Sequence, residues 1–290
     1  MKKLMAALIP AMAMCAFAEP DGDGNPPVLW GVGNTGIYSG YQLYGSLINS
    51  EPTWQTYAEI NGNLVAKDLD LGYLGVGIWI NSDLTKKRHD SYERLFNEQD
   101  FNIHWGRTFW FDDDRVWGLD YRTSFVWYYY PHHAYRGHDN YTSTTMEWNH
   151  AFELKNPFAT PYLNCYHEYH ESAGNLLQFG LKKEVEACDS LTVTPAIEFV
   201  WRNGNYNWCF PKYGYRAGSW TSHCGSGLAT MTIGVDAAYS ICENFGIFAK
   251  IAYCQTLDKD LRDSAEDASG ADYGKYKDFA WGGIGVNWKF

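Results

Sequence analysis

The chain has 290 residues, 17% of them aromatic, and carries 34 acidic against 23 basic side chains, for a formal net charge of -11. The acidic excess argues against a nucleic acid partner and predicts a solvated surface, with at most a weak preference for cations. No apolar run approaches the ~18 residues that a transmembrane helix needs, which excludes a helical membrane protein.

The N-terminal part of the chain is predicted to lie outside the fold. Residues 1–18 combine two lysines, a short apolar run and a small-x-small site ending at Ala18, as a secretory signal peptide does. Residues 19–35 are rich in Gly, Pro and Asp, which predicts a flexible periplasmic lead-in. The folded domain is therefore expected to span residues 36–290.

Twelve segments of this domain are predicted to be β-strands. Several alternate apolar and polar side chains with a period of two, as strands with one apolar face do. In one of them, Phe125, Trp127 and Tyr129 share a face, and Arg122 and Ser124 lie on the other. The predicted strands are 36–49, 53–65, 69–81, 99–110, 115–130, 141–154, 159–170, 175–185, 190–202, 226–240, 244–256 and 277–290.

The connections between these strands sort by length. Short turns follow the even-numbered strands, and long segments follow most of the odd-numbered ones. Such sorting is typical of a bacterial outer-membrane barrel with both termini at the short-turn, periplasmic end, and a secreted β-sandwich gives no reason for it. The long segments are 84–97, 131–140, 203–225 and 257–276. Two connections that also follow odd-numbered strands, 49–52 and 171–174, are short.

The last predicted strand indicates how the sheet closes. Its apolar face carries Ile284, Val286, Trp288 and Phe290. An outer-membrane barrel closes through such a strand, and an aromatic residue at its end lies in the interfacial girdle. The sequence thus predicts an all-β fold, a transmembrane up-and-down antiparallel β-barrel of about 12 strands in the outer membrane.

The charged residues of these strands are predicted to line the lumen. An Arg or Lys side chain that pointed into the lipid near the membrane midplane would destabilise the folded barrel by about 2–4 kcal/mol. Placed inside, they could set the selectivity of a pore, or form an internal salt-bridge network that plugs the barrel. The predicted lumen-lining residues are Asp120, Arg122, Glu147, Glu198, Arg202, Asp236 and Lys250.

Two stretches resemble the TorF-like porin family. Tyr41-Gln42-Leu43-Tyr44-Gly45, followed by Pro52-Thr53-Trp54-Gln55, is similar to that family's first strand, loop and second strand. Trp127-Tyr128-Tyr129-Tyr130-Pro131 is similar to its aromatic strand ending in Tyr-Pro. The chain departs from the family at Tyr44, where the family has Arg. The resemblance implies a twelve-strand porin-like barrel with no catalytic residues.

Six cysteines remain after signal cleavage, an even number in an oxidising compartment. Cys209 and Cys224 lie in the longest loop and are predicted to form a disulfide. Cys188 and Cys242 lie near turns at the periplasmic end and could form a second one. Cys165 and Cys254 lie on separate strands and are expected to be free.

The sequence therefore predicts an outer-membrane porin for passive diffusion of small polar solutes or ions, with no enzyme activity, no cofactor and no metal. A plugged structural or adhesive barrel and, less favoured, a lipid-active hydrolase remain as alternatives. The expected partners are outer-membrane lipid and lipopolysaccharide, the barrel-assembly machinery through the C-terminal strand, and small polar solutes.

Overall fold

A computed structural model describes residues 29–49, 51–66, 69–84, 98–129, 144–169, 173–204, 215–216, 219–220, 226–258 and 278–290. The predicted signal peptide lies outside these residues. No helix within them is long and apolar enough to cross a membrane. In chain order the strands are β1 (Leu29–Tyr38), β2 (Tyr41–Leu43), β3 (Ser46–Asn49), β4 (Thr53–Ala66), β5 (Leu69–Asp83), β6 (Glu98–Trp110), β7 (Gly118–Tyr129), β8 (Thr144–Lys155), β9 (Thr160–Glu168), β10 (Asn175–Lys182), β11 (Val185–Cys188), β12 (Leu191–Arg202), β13 (Tyr215–Arg216), β14 (Ser219–Trp220), β15 (Gly227–Cys242), β16 (Phe245–Thr256) and β17 (Asp278–Lys289).

Twelve of these strands form one closed antiparallel barrel, which confirms the predicted fold class. The wall runs in the order β1, β4 to β10, β12, β15, β16 and β17, and β17 pairs with β1 to close it. Strand β11 continues β10 after a short break and pairs with the same neighbour, β12. Because each wall strand has a partner on both sides, the sheet has no open edge, as a bilayer requires.

The barrel is apolar outside and polar inside. Trp127 of β7, Ile251 of β16 and Ile284 of β17 are large apolar side chains that lie exposed on the outer surface. The buried side chains of the described residues include more polar and charged groups than apolar ones, among them Glu147 and Arg202. A water-soluble protein buries apolar side chains preferentially, so this barrel has the opposite arrangement.

Strand β1 corrects the predicted start of the barrel. It covers Leu29–Tyr38, so the barrel begins before residue 36, and part of the predicted lead-in belongs to the wall. The glycines that suggested a linker have a packing role instead. A Cβ atom at Gly31 would lie 2.4 Å from the Phe290 ring, and one at Gly33 would lie 2.5 Å from the Trp288 ring. Glycine is therefore the residue that lets β1 run beneath the aromatic side chains of the closing strand.

Tight turns lie at one end of the barrel. At this end, which we call the turn end, Asp112 and Asn156 fold tight connections by accepting hydrogen bonds from backbone N–H groups two to five residues ahead. At the opposite end, which we call the loop end, β5, β7 and β16 finish. Residues 85–97, 130–143 and 259–277 lie outside the described residues, so the long loops stay a prediction. The first connection at the loop end, residues 39–52, is an exception with its own structure.

Candidate functional site

The connection between β1 and β4 forms a hairpin, which we call the inner hairpin, made of β2 and β3. Leu43 pairs with Ser46, so Tyr44 and Gly45 are the two residues of its turn. Both have positive φ angles, 48° and 79°. Two residues of positive φ are the requirement of a type I′ turn, whose twist matches that of paired strands. The segment predicted as the first wall strand, 36–49, is thus the end of β1 followed by this hairpin.

The tip of the inner hairpin contacts the wall formed by β7, β8 and β9. The Tyr44 hydroxyl donates to Oε1 of Glu147 at 2.9 Å and lies 3.1 Å from the Tyr128 hydroxyl. Tyr128 donates to the same carboxylate oxygen at 2.8 Å. The rings of Tyr44 and Tyr166 lie 4.6 Å apart, and both pack against the buried cluster of Leu176 and Val200. These strands face β1 and β4 across the barrel, so the hairpin crosses the lumen.

The other side of the tip contacts the wall formed by β12, β15 and β16. Arg202 donates from Nη2 to the backbone oxygen of Tyr44. The buried Cys254 thiol donates to the backbone oxygen of Gly45 at 3.3 Å. A Cβ atom on Gly45 would lie 2.0 Å from the Thr230 hydroxyl oxygen, so the tip touches the wall here without space for a side chain. The tip is therefore held from both sides.

The base of the inner hairpin is also fixed to the wall. The Tyr41 ring lies 5.5 Å from the ring of Trp79 on β5. Thr53, the first residue of β4, donates to the backbone oxygen of Gly40 at 3.5 Å. With base and tip both in contact, the hairpin forms a fixed bar across the loop-end half of the lumen.

A second polar group lies deeper in the lumen. Arg122 of β7 reaches Oε2 of Glu59 on β4 at 2.8 Å, across the two intervening strands β5 and β6. The buried His104 ring lies 2.7 Å from Oδ1 of Asn61 and 2.8 Å from Oδ1 of Asn102. Because Arg122 and Glu59 sit on non-adjacent strands, their contact shows directly that these side chains point inward.

Comparisons with known proteins find similar barrels among solved structures. The "KdgM porin" matches with a TM-score of 0.45 at 8% identity, over 90% of this chain and 99% of that one. The "COG4313 outer membrane channel from Pseudomonas putida F1" matches with a TM-score of 0.46 at 8% identity, over 94% of this chain and 100% of that one. Outer membrane phospholipase A from Escherichia coli matches with a TM-score of 0.46 at 8% identity, over 89% of this chain and 92% of that one.

At these identities and scores, the likeness concerns the barrel alone and carries no argument about activity. No protein-family model matches the chain, and no curated protein matches it either. The resemblance to TorF-like porins therefore stays a prediction. Its first patch, Tyr41 to Gly45, lies in the inner hairpin and not in a wall strand.

The predicted lumen-lining residues fall into three groups. Glu147 and Arg202 come together around Tyr44 of the inner hairpin. Arg122 joins Glu59 deeper in the lumen. The other four have separate local partners: Asp120 with Lys155 at 2.7 Å, Glu198 with Tyr162 at 2.9 Å, and Asp236 with Lys250 at 3.4 Å. Their influence on selectivity stays a prediction.

The sequence reasoning missed several residues of the site. Tyr44, Glu59 and His104 are not among the predicted lumen residues, although Glu59 and His104 lie on clearly predicted strands. The period-two pattern of β4 and β6 places both on the polar face, so the same rule could have found them. No pattern of this kind exists for Tyr44, because a tight hairpin inside a lumen has no lipid-facing side.

The predicted bridge between Cys188 and Cys242 is not formed, and both are exposed free thiols. Strand β12 lies between their strands, since it pairs with β11 on one side and β15 on the other. Two strand spacings amount to about 9.5 Å, beyond the ~7 Å that a disulfide allows between Cα atoms. Cys165 and Cys254 are free, as expected, and the Cys209–Cys224 prediction lies outside the described residues.

Proposed function

We propose that the chain is a channel of the bacterial outer membrane that lets small polar solutes or ions diffuse through its lumen. The observation that carries the proposal is the distribution of side chains, with exposed apolar groups outside and buried charged groups inside. An apolar outer band matches lipid. Buried charges are stable only where they are paired or wet, so a water-filled passage accounts for the interior.

In this proposal the inner hairpin sets the narrowest level of the path. It crosses the lumen from β1 and β4, and its tip is held by Glu147 of β8 and Arg202 of β12. Solutes pass beside the hairpin and then meet the Arg122–Glu59 pair deeper in the lumen. Charged side chains at a constriction act on every permeating solute at short range, which is how rings of charge set selectivity.

A plugged barrel is the second candidate, and the same hairpin favours it. The tip contacts opposite walls through Tyr128, Glu147, Arg202 and Cys254. A bar fixed at both ends could fill the lumen and leave a structural or adhesive protein without transport.

A lipid-active hydrolase has no specific observation in its favour. His150 lies with Nδ1 at 2.8 Å from the Tyr121 hydroxyl, and His167 with Nδ1 at 2.8 Å from Oδ1 of Asn175. Neither partner is the serine that a Ser-His-Asp triad needs. The absence of enzyme activity stays a prediction.

Planar-bilayer recordings distinguish the channel from the plugged barrel. The wild-type protein and a variant with residues 41–49 replaced by a short Gly-Ser turn are reconstituted, and folding is checked by the β-sheet circular dichroism signal. We expect small single-channel steps from the wild type and larger steps from the variant, because the bar across the lumen is gone. A plugged barrel gives steps only from the variant. Silence from both folded proteins would reject the channel.

A further inference from the structure

Three aromatic side chains form a row on β1, β16 and β17, which we call the aromatic strip: Tyr38, Phe248 and Trp281. The ring centroids of Tyr38 and Phe248 lie 6.3 Å apart, and those of Tyr38 and Trp281 lie 6.2 Å apart. The ring planes in these two pairs are inclined by 34° and 42°, so neighbouring rings have similar orientations. The strip is therefore one connected aromatic surface across three adjacent strands.

The strand register places the aromatic strip on the inner face of the wall. Tyr38 lies an even number of residues after Val32, which pairs with the inward-pointing Glu59, so Tyr38 shares the inner face. Tyr38 pairs with Gly283, and Trp281 lies two residues from that glycine on the same strand. Trp281 therefore faces the lumen as well, and the register of β16 with β17 gives the same result for the third ring.

Glycine residues let the rings lie along the wall instead of across the lumen. A Cβ atom on Gly283 would lie 2.2 Å from the Tyr38 ring, and one on Gly285 would lie 2.6 Å from the Phe248 ring. Phe248 starts on β16 and reaches over β17 as far as Gly36 of β1, where a Cβ atom would lie 2.9 Å from the same ring. Rings that lie over the backbone in this way take up less of the width of the lumen.

The aromatic strip can be reached from the lumen next to the inner hairpin. Tyr38 at its centre is buried, whereas Phe248 and Trp281 on either side are half-buried. Trp281 pairs with Ala252, two residues from the Cys254 thiol that contacts the hairpin tip. A solute that passes beside the hairpin therefore meets the strip next.

Polar groups lie at the edge of the aromatic strip. Nζ of Lys250 lies 5.3 Å from the centroid of the Trp281 ring and 3.4 Å from Oδ2 of Asp236. The pair carries no net charge, and both side chains can form further hydrogen bonds, because an ammonium has three donors and a carboxylate about four acceptor sites. Among the described residues, the Trp281 indole N–H is a buried donor without an acceptor. The strip thus combines ring surface with donors and acceptors in balanced charge.

A solute with both an apolar face and hydroxyl groups matches this combination. The C–H groups on one face of a sugar ring can contact the electron-rich face of an aromatic ring. The hydroxyl groups at its edge can exchange hydrogen bonds with Lys250 and Asp236. A purely apolar solute would leave these two groups without partners, and a charged solute would find no net charge to attract it.

We propose that the aromatic strip is a binding track for neutral saccharides, so that the channel serves as a path for sugars. The inference rests on the proposed channel function. A permeating solute must bind well enough to enter and weakly enough to leave. Three neighbouring rings meet both conditions, since a sugar can move from one ring to the next and keep part of its contact.

Block of the ionic current by maltotriose in planar bilayers tests the inference. We expect maltotriose to reduce the wild-type current in a concentration-dependent way, because a bound sugar obstructs the lumen. Trp281→Leu keeps an apolar side chain and removes an aromatic face. The maltotriose concentration that halves the current should therefore rise by about fivefold, the factor that an aromatic contact of this kind provides.

Trp127→Leu is the matched control, since Trp127 lies exposed on the outer surface of the barrel. It makes the same chemical change on the lipid side of the wall and should leave the half-blocking concentration unchanged. Phe248→Leu removes another ring of the strip and provides a second test if Trp281→Leu does not fold. A polyethylene glycol of the same mass, which has no sugar ring, should block less than maltotriose.

The outcomes separate the two proposals. A folded wild-type protein without conductance rejects the channel and the track with it. Conductance that maltotriose does not reduce, or that the polyethylene glycol reduces equally, rejects the track and leaves the channel intact. A half-blocking concentration that stays the same in folded Trp281→Leu or folded Phe248→Leu, or that rises equally in Trp127→Leu, also rejects the track.

Discussion

The ion pairs in this barrel differ in how strongly their charges are stabilised. Glu59 accepts hydrogen bonds from Tyr57, from Asn61 at 3.1 Å and from Arg122 at 2.8 Å. Lys250 and Asp236 form a looser pair at 3.4 Å, in which the Asp236 side chain is more than half exposed. Exposed ion pairs contribute little because water already stabilises both charges, and buried pairs leave a costly charge behind when one partner is lost.

Arg122→Met should therefore destabilise the barrel by about 2 kcal/mol, below the usual range for a buried pair because Arg122 is partly exposed. The Glu59 carboxylate would remain buried without its cation. The matched change Lys250→Met should lower the free energy of unfolding by at most about 1 kcal/mol. Urea-induced unfolding of both variants in the same detergent measures the difference. Equal losses would show that the Arg122–Glu59 contact has no special role.

At the level of single residues, the sequence predicts which side of the wall a charge lies on but not its partner. The alternation around Arg122 and Glu198 gives the inner face directly. The contact between Tyr44 and Glu147 joins residues 103 positions apart through a hairpin that crosses the lumen. No local pattern in either segment contains that information.

The inner hairpin is the element that departs most from a simple barrel. Its turn residue Gly45 has a φ angle of 79°, and the space beside it is filled by Thr230 of β15. The Gly45 backbone oxygen covers the thiol of Cys254, which is fully buried. The position of the tip thus controls whether that thiol meets water.

Gly45→Ala should displace the tip of the hairpin. Alanine at this φ costs about 1 kcal/mol, and its Cβ would lie 2.0 Å from the Thr230 hydroxyl oxygen. We expect Cys254 to react faster with a membrane-impermeant thiol reagent in the variant than in the wild type, as read from the mass of its peptide.

Gly227→Ala is the control, since among the described residues a Cβ there would meet only Oδ2 of Asp258, at 3.3 Å. Cys254 should stay protected in this variant. Equal protection of Cys254 in Gly45→Ala would mean that the tip tolerates a side chain and that Thr230 moves instead.

Strand prediction succeeded where one face of a strand meets lipid. Strands β5, β12 and β16 alternate clearly, and their observed bounds lie within about two residues of the predicted ones. Strand β1 was missed because its glycines resemble a linker. The inner hairpin was missed because neither of its sides lies on the apolar outer surface, so its sequence does not alternate as a wall strand does. The predicted number of strands was still correct, since the false strand 36–49 overlapped the true β1.

At the scale of the whole molecule, the outer surface decides the environment of the protein. Ile284, near the middle of β17, is 68% exposed, and Phe158, in the turn between β8 and β9, is 74% exposed. In water these two positions would be equivalent. In a bilayer the first lies near the midplane and the second near an interface.

Ile284→Arg should therefore destabilise the folded protein in lipid vesicles by about 2–4 kcal/mol, and Phe158→Arg by at most about 1 kcal/mol. Urea titrations of folding into vesicles measure both values. Similar values for the two variants would show that the outer surface does not face the hydrocarbon core, and the membrane placement would fail with them.

The position of the inner hairpin has a consequence for the width of the barrel. The hairpin belongs to the first connection of the chain, yet its contacts come from strands between β5 and β16, and the wall closes only when β17 meets β1. The hairpin therefore joins strands that are far apart in the chain and lie on opposite sides of the barrel. A change in the circumference of the wall would pull these contacts apart, so the first connection of the chain also fixes the width of the barrel at its loop end.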